Sequence, residues 1–539
     1  MTQTTRPARP ALLQRPRPAP ARVAAARDLP PRLFAAGVAV CTIGVAAFLS
    51  HAVTAWNPHE DEVLALFAGR GSLGDLYQTV FRRGGAPLHY TIAWVVAHTG
   101  GGLLGLRIVS AIFAVLAVPL VALLGARLAG RATSLLAVVL MCGSWTLLFH
   151  GVYARMYSLF LVTSALSYLA LLRAMEKRGK RDWAFWAVAI LATAATHTYG
   201  AIVLASQGAY YLLVRAPLRR AIVPAAVVLV LGIPLWYSDV VLAGRYDIGV
   251  GVGGSKLDGP VDVFRYFFHV AGNFTAGWPW AVWPVLAGWA VGGIVLARSR
   301  PRTALLAGSV FATPLVVFLA AKVGSHASPE TRHMIFALPF FLLLLAAGIM
   351  RVFRLPVLVV AVVAVLVWGE VAWGMKRNPE IYGDEPPIRE AARNAASAWL
   401  AGTMRPDDVL LGYDPLFLGA WEKGGDVSRT VVPRADFKLA LDVLRKAPKP
   451  LGRAYFVFDA SDTNNWRRRL YVPALVPPEG GFEAQAFGPF LVLRTTGPTR
   501  TVRGFLVRAE QAELVGKSIY AGDADVNYDT VHRALEALH

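Results

Sequence analysis

Residues 54–90 read TAWNPHEDEVLALFAGRGSLGDLYQTVFRRGGAPLHY, and their setting decides the fold. Immediately before them, Leu33 to Val53 is an apolar run long enough to cross a bilayer. Just inside the stretch stand three consecutive acids, Glu60, Asp61 and Glu62. A carboxylate at a membrane boundary is costly to desolvate, so an acid cluster there is a functional-site hypothesis by default. The plain alternative is a solvated loop start, or charges that favour a helix N-terminus. Within this outer segment, 62–68 and 87–97 read as short helices that cannot span and lie along the membrane surface.

Outward from this stretch, the chain repeats the same apolar signal. Of 539 residues, 55% are hydrophobic and 16% are charged, against roughly a quarter charged in a soluble protein. Apolar runs recur from Leu33 to Met375, and the fold class they imply is a polytopic α-helical membrane protein. About 11 spans are expected, near 33–53, 103–124, 132–149, 157–172, 183–197, 200–214, 221–242, 279–297, 303–321, 334–350 and 355–375. The net charge of +20 sits mainly in the short loops between these runs. It therefore reads as a topology signal, and no nucleic-acid partner is expected.

Arg27 and Arg32 precede the first span and place the N-terminus in the cytoplasm, which sends the acidic stretch outside. With that orientation the inner loops are basic, as in RAMEKRGKRD and RAPLRR. The outer turns carry His150, Tyr153 and Arg155; His197 and Tyr199; Asp247, Asp258 and Asp262; and Lys322, Glu330, Arg332 and His333. A topology that collects the unusual polar residues on one face makes that face the binding or catalytic one. The loop 243–277, with Gly249 to Gly254, includes an interfacial helix at VFRYFFHV. Cys41 and Cys142 both lie in apolar runs, so neither a disulfide framework nor a CxxC motif is available.

Three segments follow. Residues 1–32, rich in Arg, Pro and Ala, form a disordered basic cytoplasmic tail. Residues 33–375 form the transmembrane domain, with its first outer loop at 54–102. Residues 376–539 form an extracytoplasmic α/β domain, with strands at DDVLLGY, RAYFVFD and FLVLR and helices at IREAARNAASAWLA and DFKLALDVLRKA. A final helix is expected at VHRALEALH.

The order of several short motifs resembles one family. They are the Asp-Glu pair after the first span, Pro87-Leu88-x-Tyr90, LRIVSAIFAVLAVPLVALLGARLAGR, Ala154-Arg155-Met156-Tyr157, His197-Thr198-Tyr199 with Gln207 beyond it, and Arg332 before a Pro-containing span. Together they resemble the GT-C-fold glycosyltransferases that use polyprenyl-phosphate sugars, in the branch of the protein O-mannosyltransferases and the lipid A aminoarabinose transferase. The resemblance is densest from Asp61 to Leu213. It implies transfer of a sugar from a polyprenyl-phosphate donor to a cell-envelope glycan, lipid or protein acceptor on the outer face of the membrane. It also implies a catalytic base at Asp61 with Glu62 beside it.

The chemistry agrees with that implication. Glycosyl transfer to a hydroxyl needs a base for the acceptor proton, and a departing lipid phosphate needs cations or hydrogen-bond donors. Arg82, Arg83, Arg155, Lys322, Arg332 and His333 are the candidates for the phosphate, with Tyr153, His197, Tyr199 and His89 completing the substrate-facing set. Each has a plainer reading. Asp61 can be a helix N-terminal charge with Glu62 as base, and Glu60 a solvated neighbour. Arg155 can snorkel, Arg332 and His333 can flank a span, and His197 can be a packed cap. Glu370, inside the last span, is either a buried partner for a cation or an interface residue.

Two departures from the family pattern stand out. The segment Gly85-Ala86-Pro87-Leu88 replaces His-Pro-Pro-Leu, and Val152-Tyr153 replaces Gln-Glu before Ala-Arg. The second removes a side chain that would place substrate or a metal, so a divalent metal stays open. The absence of a GxxxxGKS loop, and of an Asp-x-Asp pair within residues 33–375, favours a lipid-phosphate donor over a nucleotide sugar. The alternative from another class is a transporter or lipid-linked-sugar flippase, which would show paired interrupted spans and polar residues near the midplane. A non-catalytic relative whose C-terminal domain binds glycan is the third reading.

Overall fold

A computed structural model describes residues 28–246, 257, 259–275, 277–321, 329–383, 387–434, 436–459, 481–519 and 524–538. The expected tail up to residue 27, Asp247, Asp258, Gly249 to Gly254 and Lys322 lie outside the described residues.

The chain opens with the apolar helix α1 (Pro31–Ala55) and then makes three short helices, α2 (Glu60–Ala68), α3 (Leu73–Arg83) and α4 (Pro87–His98). α2 and α4 fall where short helices are expected. α3 lies where none is, although its signals are local: Ser72 caps its N-terminus in a reciprocal box with Asp75, and Gly84, at φ 73°, ends it in the left-handed conformation. Next come α5 (Gly102–Ala129) and a pair, α6 (Arg131–Gly143) and α7 (Trp145–Val152), bent by 55°. α8 (Tyr157–Lys177), α9 (Lys180–Thr196) and α10 (Gly200–Leu213) follow. A second bent pair, α11 (Leu218–Leu231) and α12 (Ile233–Tyr246), turns by 57°. Then come α13 (Pro260–Phe274), α14 (Pro279–Ser299), α15 (Pro301–Ala321), a 3-10 turn (Thr331–Ala337) leading into α16 (Leu338–Val352), and α17 (Pro356–Arg377). Proline at the first helical position recurs because its missing N–H costs nothing there.

Every expected span falls on one of these helices or bent pairs. Among the described residues, seven helices are long and apolar enough to cross a membrane alone, or up to nine if each bent pair counts as one span. α9 and α10, at 17 and 14 residues, are the shorter remaining segments of the expected eleven. α16 is central: every side chain from Leu338 to Ile349 is buried, as an all-round apolar helix requires. α14 reaches it closely, since a Cβ at Gly292 would overlap the Leu344 carbonyl and one at Gly348 the Gly288 carbonyl. By contrast α1 and α17 turn Val40, Ile43, Val360 and Trp368 outward, the pattern of helices that face lipid.

After a 3-10 turn (Pro379–Tyr382), the C-terminal region alternates helices and strands: α18 (Pro387–Thr403), β1 (Val409–Leu411), α19 (Pro415–Glu422), β2 (Val431–Val432), α20 (Phe437–Lys446), β3 (Ala454–Asp459), β4 (Phe482–Phe487), β5 (Phe490–Thr495), α21 (Val502–Ile519) and α22 (Ala524–Glu536). The five strands form one mixed sheet in the order β2-β1-β3-β5-β4, parallel about β1 and antiparallel about β5. Strand alternation splits its side chains between two cores. Val409, Leu411, Phe456 and Leu493 pack against α20, α21 and α22. Leu410, Tyr455, Val457 and Val492 share a core with α18, α19 and with Val63, Leu66, Phe67 and Ala93 of the first loop. The C-terminal region thus completes the burial of the helices that carry the acids.

Candidate active site

α2 begins at His59, whose Nδ1 accepts the Asp61 N–H at 3.2 Å, while the Glu62 carboxylate accepts the His59 N–H at 3.0 Å. This reciprocal cap fixes the start of the helix and hence the direction of each acid. Consecutive helical residues point about 100° apart, so the three carboxylates serve three different partners. Glu60 accepts the Tyr413 N–H at 2.9 Å and pairs with Arg434 at 3.2 Å, which corrects the expectation that it is a solvated neighbour. Its role is to tie the C-terminal region to α2.

Glu62 is fully buried and faces α5. Its two oxygens accept Nε and Nη2 of Arg107 at 2.9 and 2.8 Å, and Oε1 also accepts the Ala154 N–H at 2.9 Å. Arg107 spends its remaining donors on the carbonyls of Val53, Trp56 and Asn57. Glu62, expected beside Asp61 as part of a catalytic pair, is therefore bonded on all sides to structure. It clamps the end of α1, the start of α2 and the turn before α8.

Asp61 takes the third direction. Its Oδ2 accepts the Tyr153 hydroxyl at 2.7 Å and Arg332 Nη2 at 3.4 Å, and 34% of its side chain is exposed. Among the described residues no donor is bonded to Oδ1. Arg155 donates to the Asp61 carbonyl at 2.9 Å, and its Nε is buried with no partner among the described residues. Burial would raise the Asp61 pKa, but Arg155, Arg332, His59 and the Tyr153 hydroxyl outweigh it and hold the carboxyl well below the usual carboxylate range. Tyr153 is thus a hydrogen-bond donor to Asp61.

Arg332 lies between two acids. Its Nη2 also donates to Glu330 at 2.7 Å, and its guanidinium sits 5.8 and 5.3 Å from the ring centres of Tyr153 and Tyr157. His333 follows it and caps the 3-10 turn by accepting the Glu330 N–H at 3.3 Å. The ring of His333 is 5.0 Å from those of both His197 and Tyr199, and 6.1 Å from that of Tyr157. His197 in turn accepts the Tyr199 N–H at 3.0 Å and stacks on Phe160. These rings form one aromatic and imidazole wall behind the Asp61–Tyr153–Arg332 cluster.

The structure therefore gathers Asp61, Tyr153, Arg155, His197, Tyr199, Arg332 and His333 from four separate stretches of chain. His89 is buried nearby, where burial and the Arg155 charge pull its imidazole down to about 3 and leave it neutral. Arg82 and Arg83 go elsewhere, to a cavity against the C-terminal region. Arg107, Glu330 and Tyr157 belong to the site or its support; the sequence puts Glu330 on an outer turn and Tyr157 in a motif but assigns none of the three a role. Arg107 had a signal, a lone charge in an apolar run, which calls for a buried partner. Among the described residues Glu370 pairs with no cation; it accepts the Trp145 N–H at 3.1 Å in the break between α6 and α7. Among the described residues no group of three or more His, Cys, Asp or Glu side chains could hold a metal ion, so no step here is routed through one.

Residues 85–237 match the dolichyl-phosphate-mannose-protein mannosyltransferase family, a segment that includes His89, Tyr153, Arg155, His197 and Tyr199 but not Asp61 or Arg332. No curated protein matches the chain. Among solved structures, ArnT from Cupriavidus metallidurans bound to undecaprenyl phosphate aligns with a TM-score of 0.52 at 14% identity, covering 86% of this chain and 97% of that one. The apo form of the same protein gives 0.49 at 14% identity, over 85% and 98% of the two chains. The apo oligosaccharyltransferase of Archaeoglobus fulgidus gives 0.49 at 11% identity, over 84% and 73%. The resemblance read from the sequence thus has a counterpart in three dimensions: the chain is a polytopic helical membrane protein with the GT-C fold.

Proposed function

We propose that the protein is an integral-membrane glycosyltransferase that moves a sugar from a polyprenyl-phosphate donor to a hydroxyl of a cell-envelope glycan, lipid or protein. The observation that carries this reading is Asp61, a part-exposed carboxylate with Oδ1 unengaged among the described residues and Arg332 and Arg155 beside it. In the step, Asp61 takes the acceptor hydroxyl proton as that oxygen bonds to the anomeric carbon. The bond from the anomeric carbon to the phosphate oxygen breaks, and the phosphate leaves with the electron pair. Arg332 and Arg155 stabilise its growing charge through fork-shaped donors suited to phosphate. His333, His197, Tyr153 and Tyr199 line the sugar side, and Lys322 remains a further phosphate candidate. In this reading the N-terminus is cytoplasmic, residues 33–375 form the membrane domain, and the first loop and residues 376–539 share the extracytoplasmic face.

The bent pairs α6/α7 and α11/α12 are interrupted spans of the kind a transporter uses, and they favour that reading on one count. The same experiment addresses both. Purified protein in detergent, where vectorial transport has no meaning, is mixed with labelled polyprenyl-phosphate sugar and an envelope extract as acceptor. Wild-type protein is expected to transfer label. Asp61→Asn is expected to lose at least ~10²-fold of the rate, the usual contribution of a positioned base, while still binding donor. An Asp61→Asn protein with undiminished transfer sinks the assignment of the base.

A further inference from the structure

A second basic site stands apart from the transfer machinery. Between the last turn of α3 and the C-terminal region lies a cavity of about 330 Å³, walled in part by Thr79, Arg82, Arg83, Arg429, Asp442 and Lys446. Its volume falls at the lower end of the ~300–1,000 Å³ typical of small-molecule sites. Four cations face one acid. Arg83 is committed to the wall, donating to the Tyr413 hydroxyl at 2.8 Å, and Lys446 shares Asp442 at 2.5 Å. Arg82 and Arg429 are exposed and, among the described residues, form no ion pair. Cations converging on one cavity repel one another, and a bound anion relieves that cost.

The position of the cavity narrows the anion. α3 ends on a membrane helix: Ser238 of α12 donates to the Gly85 carbonyl at 2.7 Å, and Gly84 lies against Leu242. On the same helix Tyr237 and Val240 are 65% and 70% exposed, as lipid-facing side chains are. An amphiphile lying along α12 would carry its headgroup to Arg82. We propose that this cavity binds the phosphate of an amphiphile's headgroup, held by the guanidinium forks of Arg82 and Arg429 with Lys446 as a point charge and Thr79 as a hydroxyl donor. The inference goes beyond the transfer reading and does not rest on it.

The test is hydrogen exchange of the full-length protein, followed at α3 (Leu73–Arg83) and α20 (Phe437–Lys446). Protein in micelles of the phosphate-free detergent dodecyl maltoside is compared with protein in the same micelles carrying phosphatidylglycerol, and with protein in the same micelles to which soluble glycerol 3-phosphate is added. Slowed exchange at both helices with phosphatidylglycerol alone identifies a membrane lipid headgroup. Slowed exchange with glycerol 3-phosphate as well identifies a site for the phosphate group itself, open to a soluble or acceptor-borne ester. In either case the Arg82→Gln/Arg429→Gln variant, altered only at exposed positions, is expected to weaken the effect by roughly tenfold or more in ligand concentration. Asp61→Asn is expected to retain it, which separates this result from the fate of the transfer reading. No protection with either probe, or protection that survives in the double variant, overturns the proposal.

Discussion

Asp61 sits under a chemical tension. Burial favours its neutral form, yet Arg155, Arg332, His59 and the Tyr153 hydroxyl hold it far on the ionised side. Its folded pKa lies below the ~3.9 of free Asp. The stabilisation from this cluster is therefore fully present above about pH 4 and is lost as the pH falls through the folded value. A carboxylate so acidic is a weak base. A donor phosphate beside Arg332 and Arg155 would draw part of their field away and make Asp61 more basic at the moment an acceptor arrives. Replacing Arg332 should act in the same direction without the donor. We expect Arg332→Gln to raise the acid limb of the kcat/KM profile, from below pH ~4 in the wild type by about a unit or more, while lowering the plateau rate. A limb that stays in place would show that Arg332 does not tune Asp61. The sequence makes Asp61 and Arg332 visible because acids and arginines at span ends are conspicuous. It hides Glu62's true commitment, because nothing local says that Arg107, 45 residues on, closes on it.

Among the elements, long apolar helices are legible because each needs only its own composition. α3 is legible in hindsight through Ser72, Asp75 and Gly84. β2, at two residues, and β4, whose Glu483 to Ala486 are all exposed, carry too little pattern to be read. The break between α6 and α7 is set by partners distant in sequence. There Glu370 accepts the Trp145 N–H, while Ser144 and Thr146 donate to the carbonyls of Phe274 and Asn273 at 3.2 and 2.6 Å. A broken membrane helix must have its freed backbone groups satisfied, as Glu370 does for the Trp145 N–H, while the two hydroxyls tie the break to the end of α13. Since α7 leads directly to Tyr153, the break also aims the site. Glu370→Leu leaves a buried N–H without its acceptor and is expected to cost about 1–3 kcal/mol, whereas Glu370→Gln keeps a carbonyl oxygen there and should cost less. Thermal unfolding in detergent measures both. Equal losses for the two variants would show that the acceptor oxygen facing the Trp145 N–H does not carry the effect.

At the scale of the whole molecule, the first loop does not own its core. Val63, Leu66 and Phe67 are buried together with Leu416, Phe417 and Tyr455 of the C-terminal region. Arg70 donates to the carbonyls of Val427 and Ser428 at 2.7 and 3.2 Å and lies over Trp421, and the Leu103 N–H donates to Glu422 at 3.0 Å. These contacts join residues more than 300 positions apart, such as Glu60 and Arg434. Composition separates a membrane part from an α/β part, but nothing in it says that one completes the other. A chain ending after Arg377 keeps every expected span yet strips α2 of its apolar cover and its Glu60 anchor. We expect such a chain to insert in membranes, to lose transfer activity, and to exchange the amides of Glu60–Ala68 at least ~tenfold faster, since local protection follows buried contacts. Arg434→Met in the full-length protein removes the Glu60 pair together with the Arg434 bonds to the Leu411 and Val457 carbonyls; it should cost about 1–3 kcal/mol of stability yet leave the apolar cover of α2, and with it most activity, in place. If the shortened chain transferred sugar at the full rate, Asp61 would be held by the Glu62–Arg107 clamp and α5 alone, and the C-terminal region would be free to serve only the cavity at Arg82.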